Sequence, residues 1–124
     1  MQGMRFTAAL AALSAITLGL PAAAQDPTFG GDELKQAWTD KELMGRSRNG
    51  VTFHISFKAA GGATFSSANL SDTGEWRAVD TGYCTKWQRI REGKEGCFVV
   101  RRNGSNFIVY NEDGSESGRI HNVR

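Results

Sequence analysis

Trp87, Arg89, Arg91 and Lys94 stand together in one short stretch. A guanidinium beside an indole suits anions, glycans or acidic protein surfaces, because the planar cation stacks on the ring and forks onto paired oxygens. Between residues 77 and 102 the basic residues outnumber Asp80, Glu92 and Glu95 by four. These four side chains are therefore the candidate ligand-binding set. The plain alternative is a solvated face, with Lys86 spending its charge on Glu95 across a pair of strands.

Catalytic chemistry finds less to work with. The two histidines, His54 and His121, belong to no metal-ligand spacing, so no metal site and no cofactor is assigned. Ser56 or Ser66 with His54 and Asp72 makes a nucleophile set on paper, but no G-x-S-x-G turn accompanies it. Glu112, Asp113 and Glu116 gather oxygens of the kind calcium takes. Their spacing misses the calcium-loop pattern and reads as a solvated hairpin tip. No residue is assigned a catalytic role, and an enzyme is the less favoured class.

The elements that would hold these residues are mostly strands. Asp32 is placed to cap a helix in which Leu34, Ala37, Trp38 and Lys41 share a face. Thr39 and Glu42 match a capping box, so the helix either ends there or restarts as a second short turn before Leu43, Met44 and Gly45; either way one helical element carries Trp38 toward the core. From Val51 the period becomes two, with Phe53, Ile55 and Phe57 on a dry face. Further strands are expected around Phe65, over residues 75–79, and on both sides of each turn that follows.

Turn chemistry and the cysteines fix a register. Asn103-Gly104 as a type I′ turn pairs Arg102 with Ser105 and sets Val100 opposite Phe107. Asp113-Gly114 as a second such turn sets Phe107 opposite Ile120. Cys84 and Cys97 have no other cysteine to bond, so in an oxidising compartment they form one disulfide. That bond pairs Tyr83 with Phe98 and puts itself on the face opposite Trp87, Phe98 and Val100.

These hairpins describe a mainly β protein, an antiparallel meander of six or seven strands forming a curved sheet or small incomplete barrel, with one N-terminal helix packed on it. Barrel closure depends on strand number and stagger together, which sequence does not give. The second face keeps Val99, Ile108 and Tyr110. It is expected either to lie under the helix or to stay open as a binding patch.

Arg5 precedes an apolar run, Phe6 to Leu20, which is short for a membrane span, and Ala22-Ala23-Ala24 supplies the small residues of a signal-peptidase site. Residues 1–24 are accordingly read as a signal peptide, 25–31 as a flexible leader and 32–124 as a single domain. The chain's net charge of +2 falls to +1 once Arg5 is removed. So near-neutral a balance argues against nucleic acid as a partner.

The series Gly74-Glu75-Trp76, Cys84 to Trp87, Cys97 and Asp113-Gly114 resembles the pattern of small exported alphaproteobacterial proteins, in which a G-x-W turn, a C-x-x-W strand, a second cysteine and a terminal D-G hairpin follow a short helix. The resemblance implies a periplasmic or secreted β domain and carries no activity. Arg77 and Lys86, beside the tryptophans, depart from it. The functional expectation is an exported, monomeric cell-envelope binding module without a membrane span after signal cleavage, its partner an anionic glycan or acidic protein surface. The alternatives are a periplasmic inhibitor of a lytic enzyme and a small hydrolase.

Overall fold

A computed structural model of the chain describes residues 27–124; the expected signal peptide, residues 1–24, lies outside them. Helix α1 (Gly31–Trp38) precedes eight strands: β1 (Glu42–Ser47), β2 (Thr52–Phe57), β3 (Gly62–Ser67), β4 (Ser71–Val79), β5 (Gly82–Trp87), β6 (Gly96–Asn103), β7 (Asn106–Tyr110) and β8 (Glu116–Val123). Each pairs antiparallel with the next, and β8 returns to β1, so the meander closes into a barrel.

The strand beyond the expected number is β1. Thr39 and Glu42 do not restart a helix: Leu43 and Gly45 turn inward while Glu42 and Arg46 face water, the alternation of a strand. The segment fills the gap between β2 and β8 and satisfies the backbone groups of both, a tertiary reward that overrides a local capping signal. At the seam Glu42 and Arg124 exchange backbone hydrogen bonds of 2.6 and 3.0 Å, and the Arg124 guanidinium lies 3.3 Å from the Glu42 carboxylate.

Helix α1 closes one end of the barrel. Leu34 and Trp38 are fully buried, whereas Ala37 is exposed and Lys41 lies beyond the last turn. Gly30 occupies the N-cap position; Asp32 sits in the first turn, where its charge suits the positive end of the helix without capping it. The Trp38 indole meets Phe29 at 5.4 Å, Phe107 at 5.3 Å and Tyr83 at 6.0 Å between ring centroids. Phe29 belongs to the expected flexible leader, yet its N–H donates to Val100 at 2.8 Å and its ring is 1 % exposed. Within the described part of that leader, residues 27–31, Pro27 is exposed but Phe29 is core, and burying a phenylalanine ring stabilises by about 2 kcal/mol.

The helix therefore does not cover the face carrying Val99, Ile108 and Tyr110. That face is the outer wall, where Ile108 is buried between Arg101 and Arg119 in the register and its two companions are half-buried. Among the described residues the exposed large apolar side chains are Val51 and Leu70. Both lie in turns at the end away from the helix.

Cys84 and Cys97 form the expected disulfide on the outer wall, opposite one another, with Tyr83 facing Phe98 inside. Closing this loop contributes about 3 kcal/mol in the chain-entropy account. Phe107 faces Ile120 as expected, but the turn that joins their strands is a three-residue loop: Gly114 donates to Asn111 at 2.9 Å and Asn111 to Ser115 at 2.8 Å. The β6–β7 hairpin is displaced by two residues from expectation. Asn103 pairs with Asn106 and Val100 with Val109, so Gly104-Ser105 form the turn. Gly104 has φ 63° and Ser105 is not left-handed, which is the preference of a type II′ turn with glycine first. A slip of two keeps every side chain on its face.

A β-branched residue resists positive φ, so Gly104→Val should destabilise the barrel by roughly 1–3 kcal/mol. Thermal unfolding followed by circular dichroism should show a melting temperature lower by several degrees. An unchanged midpoint would contradict the turn.

Candidate binding cup at the open end of the barrel

The strands bring two different interiors to the two ends. Around Trp38 the lumen is filled by Phe29, Phe57, Tyr83 and Phe107. Beyond Tyr83, toward the turns after β1, β3, β5 and β7, it is not filled: a cavity of about 320 Å³ remains. Its walls are Phe53, Ile55, Phe65, Trp87, Phe98 and Val109, residues that alternate along β2, β3, β5, β6 and β7. Leu70, Ile90 and Arg91 stand at its mouth, and Ser47, Asn111 and Ser117 complete the rim. The rings hold one another, Phe53 stacked on Phe65 at 5.8 Å and Phe65 edge-on to Trp87 at 5.9 Å.

Two residues that carry hydroxyls line its floor, Tyr83, 6 % exposed, and Thr85, 2 % exposed. Burial pushes the Tyr83 phenol well above its ordinary value, so it stays a neutral donor at any physiological pH.

The loop over the mouth, residues 88–95, is organised by Asp72. This carboxylate, at the start of β4, accepts the backbone N–H of Arg89 at 2.9 Å, of Ile90 at 2.9 Å and of Thr73 at 2.8 Å. Burial alone would raise its pKa, but the three N–H groups and the nearby Arg89 charge outweigh that and hold it below the ordinary 3.8. The loop then passes through Arg91 and Glu92 in the left-handed region, φ 57° and 56°. Such backbone persists only where its surroundings fix it; here the Asp72 bonds fix one side and the disulfide the other. The Arg91 side chain lies against Gly96, where a Cβ would come within 2.7 Å of its Nε.

The expected binding set is thus divided. Trp87 and Arg91 line the cavity, Trp87 inside the wall and Arg91 at the lip. The Arg89 guanidinium turns away to donate to the Ser71 carbonyl, and Lys94 extends into solvent, 3.9 Å from Glu92. Glu95 does not pair with Lys86. Arg77 takes it with two bonds of 3.1 and 3.2 Å, because the guanidinium fork fits both carboxylate oxygens. That bond holds Glu95 below its ordinary pKa, with Lys86 adding a weaker electrostatic pull.

The paper catalytic set does not assemble. His54 faces Ser66 across β2 and β3 on the outer wall, its Nδ1 3.6 Å from Glu42, whereas Asp72 faces Phe65 on the inner side. At the acidic turn, Asp113 accepts from the Ser115 N–H at 2.9 Å and its hydroxyl at 2.6 Å, and Glu116 pairs with Arg119 at 3.0 Å. Among the described residues no three metal-ligating side chains gather.

Cup-lining residues that sequence reading did not single out as a site include Phe53, Phe65, Tyr83, Thr85 and Phe98. Their alternation marks them as inward-facing, and nothing in that pattern says which inward positions enclose empty space. The chain matches no protein-family model, no curated protein and no solved structure.

Asp72 gives the loop a pH dependence of definite sign. Its folded pKa is depressed, so its contribution is fully present at neutral pH and is lost as pH falls through 3.8 and below. Asp72→Asn should therefore melt earlier than the parent at pH 7, and the gap should narrow as the pH is taken to about 3. Melting curves at several pH values check this; a constant gap would contradict it.

Proposed function

We propose that this chain is an exported, non-enzymatic binding module of the cell envelope that takes its ligand at the open end of the barrel. The observation that carries the reading is the 320 Å³ cavity, walled by aromatic rings and sealed behind by the Trp38 plug. Eight strands enclose a lumen that side chains can just fill or that can hold one small ligand. Half of this lumen is packed and half is not. The cavity lies at the lower end of the volumes of small-molecule sites, about 300–1,000 Å³, and has their composition of apolar walls with few polar groups.

The compartment draws on separate support. A disulfide suits an oxidising environment, and no described helix is long and apolar enough to cross a membrane. The resemblance to small exported alphaproteobacterial proteins points the same way. A second reading, inhibition of a lytic enzyme, draws on the 88–95 loop, whose left-handed Arg91 and Glu92 are held in one shape before any partner arrives. The hydrolase alternative has no assembled site among the described residues.

The test uses a neutral apolar dye, N-phenyl-1-naphthylamine, titrated into the disulfide-bonded protein. The binding-module reading expects a saturable fluorescence rise at one dye per chain. Thr85→Phe, which places a ring in the cavity floor, should weaken that binding at least about tenfold; Val109→Phe fills the cavity from β7, two strands away, and serves if the first variant melts early. Absence of saturable binding, or binding indifferent to both substitutions, would overturn it.

A further inference from the structure

Within the cup, charge and shape are specific enough to name a ligand class, and the inference rests on the binding reading above. Among the described residues, Arg91 is the one charged residue that lines the cavity. Among the described residues it has no carboxylate partner: Glu92 lies toward Lys94 and Glu95 is held by Arg77. A cation at the lip of an apolar space, with no anion to neutralise it, leaves a positive potential focused on the opening. Its guanidinium stays charged at any pH the protein meets.

The walls define the rest. Phe53, Phe65 and Trp87 touch one after another, at 5.8 and 5.9 Å between centroids, and with Phe98 they give the cavity an aromatic wall. A flat ring system lies against such a wall, whereas a long acyl chain would fill this short cavity and protrude. At the far end Tyr83 and Thr85, 6 % and 2 % exposed, line the floor and each carries a hydroxyl. A ligand that brings an acceptor to either hydroxyl gains a hydrogen bond shielded from water.

We propose that the cup binds a small planar aromatic acid, its carboxylate or equivalent anion at Arg91, its rings among Phe53, Phe65, Trp87 and Phe98, and a polar substituent on the far side at Tyr83 and Thr85. The anion sits at the mouth, where it keeps part of its hydration while the guanidinium donates to it. The rings lose their hydration entirely. The hydroxyl pair discriminates among ring substituents in the way that a site built for a hydrogen bond rejects the analogue lacking it.

Isothermal titration of the whole disulfide-bonded protein with 2-naphthoate, 6-hydroxy-2-naphthoate, 2-naphthalenemethanol and decanoate tests each part. The expected order is 6-hydroxy-2-naphthoate tightest, then 2-naphthoate, with the neutral alcohol and decanoate each weaker than 2-naphthoate by about tenfold or more. Arg91→Gln should remove the preference of the naphthoates over the alcohol. Should that variant melt early, raising the salt concentration on the unsubstituted protein should weaken naphthoate but not the alcohol. Equal affinity of naphthoate and alcohol would overturn the anion claim, and decanoate binding tightest would overturn the aromatic claim; in either case neutral dye still bound in the cup leaves the binding module standing. Loss of dye binding together with all four compounds would overturn both.

Discussion

The lumen of an eight-stranded barrel has a width set by its strand number, and something must fill it. Here one indole, that of Trp38, fills one end, and the remaining architecture follows from where it stops. Phe29 and Phe107 pack against it from one side, and Tyr83 and Phe57 from the other. Arg102 fixes the helix over this plug: its guanidinium lies 4.5 Å from the Phe29 ring centroid and 2.7 Å from the Glu33 carboxylate on α1. Tyr83 is at once the last residue of the plug and the floor of the cup, so the packing of one half sets the depth of the other.

Much of this was legible in the chain, and what was legible was local. The cysteine pair set Tyr83 opposite Phe98, and the D-G signal set Phe107 opposite Ile120, because a short loop between two strands leaves few registers that keep apolar residues together. Reading Asn103-Gly104 as the turn displaced its hairpin by two residues, since glycine serves equally as second residue of a type I′ turn or first of a type II′ turn. Strand β1 escaped because its evidence is non-local. Thr39 and Glu42 carry a helical signal, and only the waiting edges of β2 and β8 outweigh it.

The candidate site was half legible for a related reason. Trp87 and Arg91, two of the four expected ligand-binding residues, line the cavity, and charge beside an aromatic ring is visible in sequence. The cup they share is not, since a cavity is a deficit in the summed volume of side chains from many strands. Arg89 and Lys94 looked equivalent to Arg91 in the chain. The structure separates them by the partners within reach, the Ser71 carbonyl for one and Glu92 for the other. The basic loop is thus not a uniform patch but a frame, pinned by Asp72, that leaves one cation facing the opening.

A barrel plugged at one end and open at the other should not be equally stable along its axis, because backbone opening is opposed by the apolar contacts around it. Residue-resolved amide hydrogen exchange of the free protein measures this directly. The account predicts slowest exchange, at the rate of global unfolding, for Phe29, Leu34, Phe57, Val100 and Ile120 around the plug, and faster exchange for Phe53, Phe98 and Ser117 around the cup. Equal protection at both ends, or an early opening of Phe29 and Leu34, would contradict it.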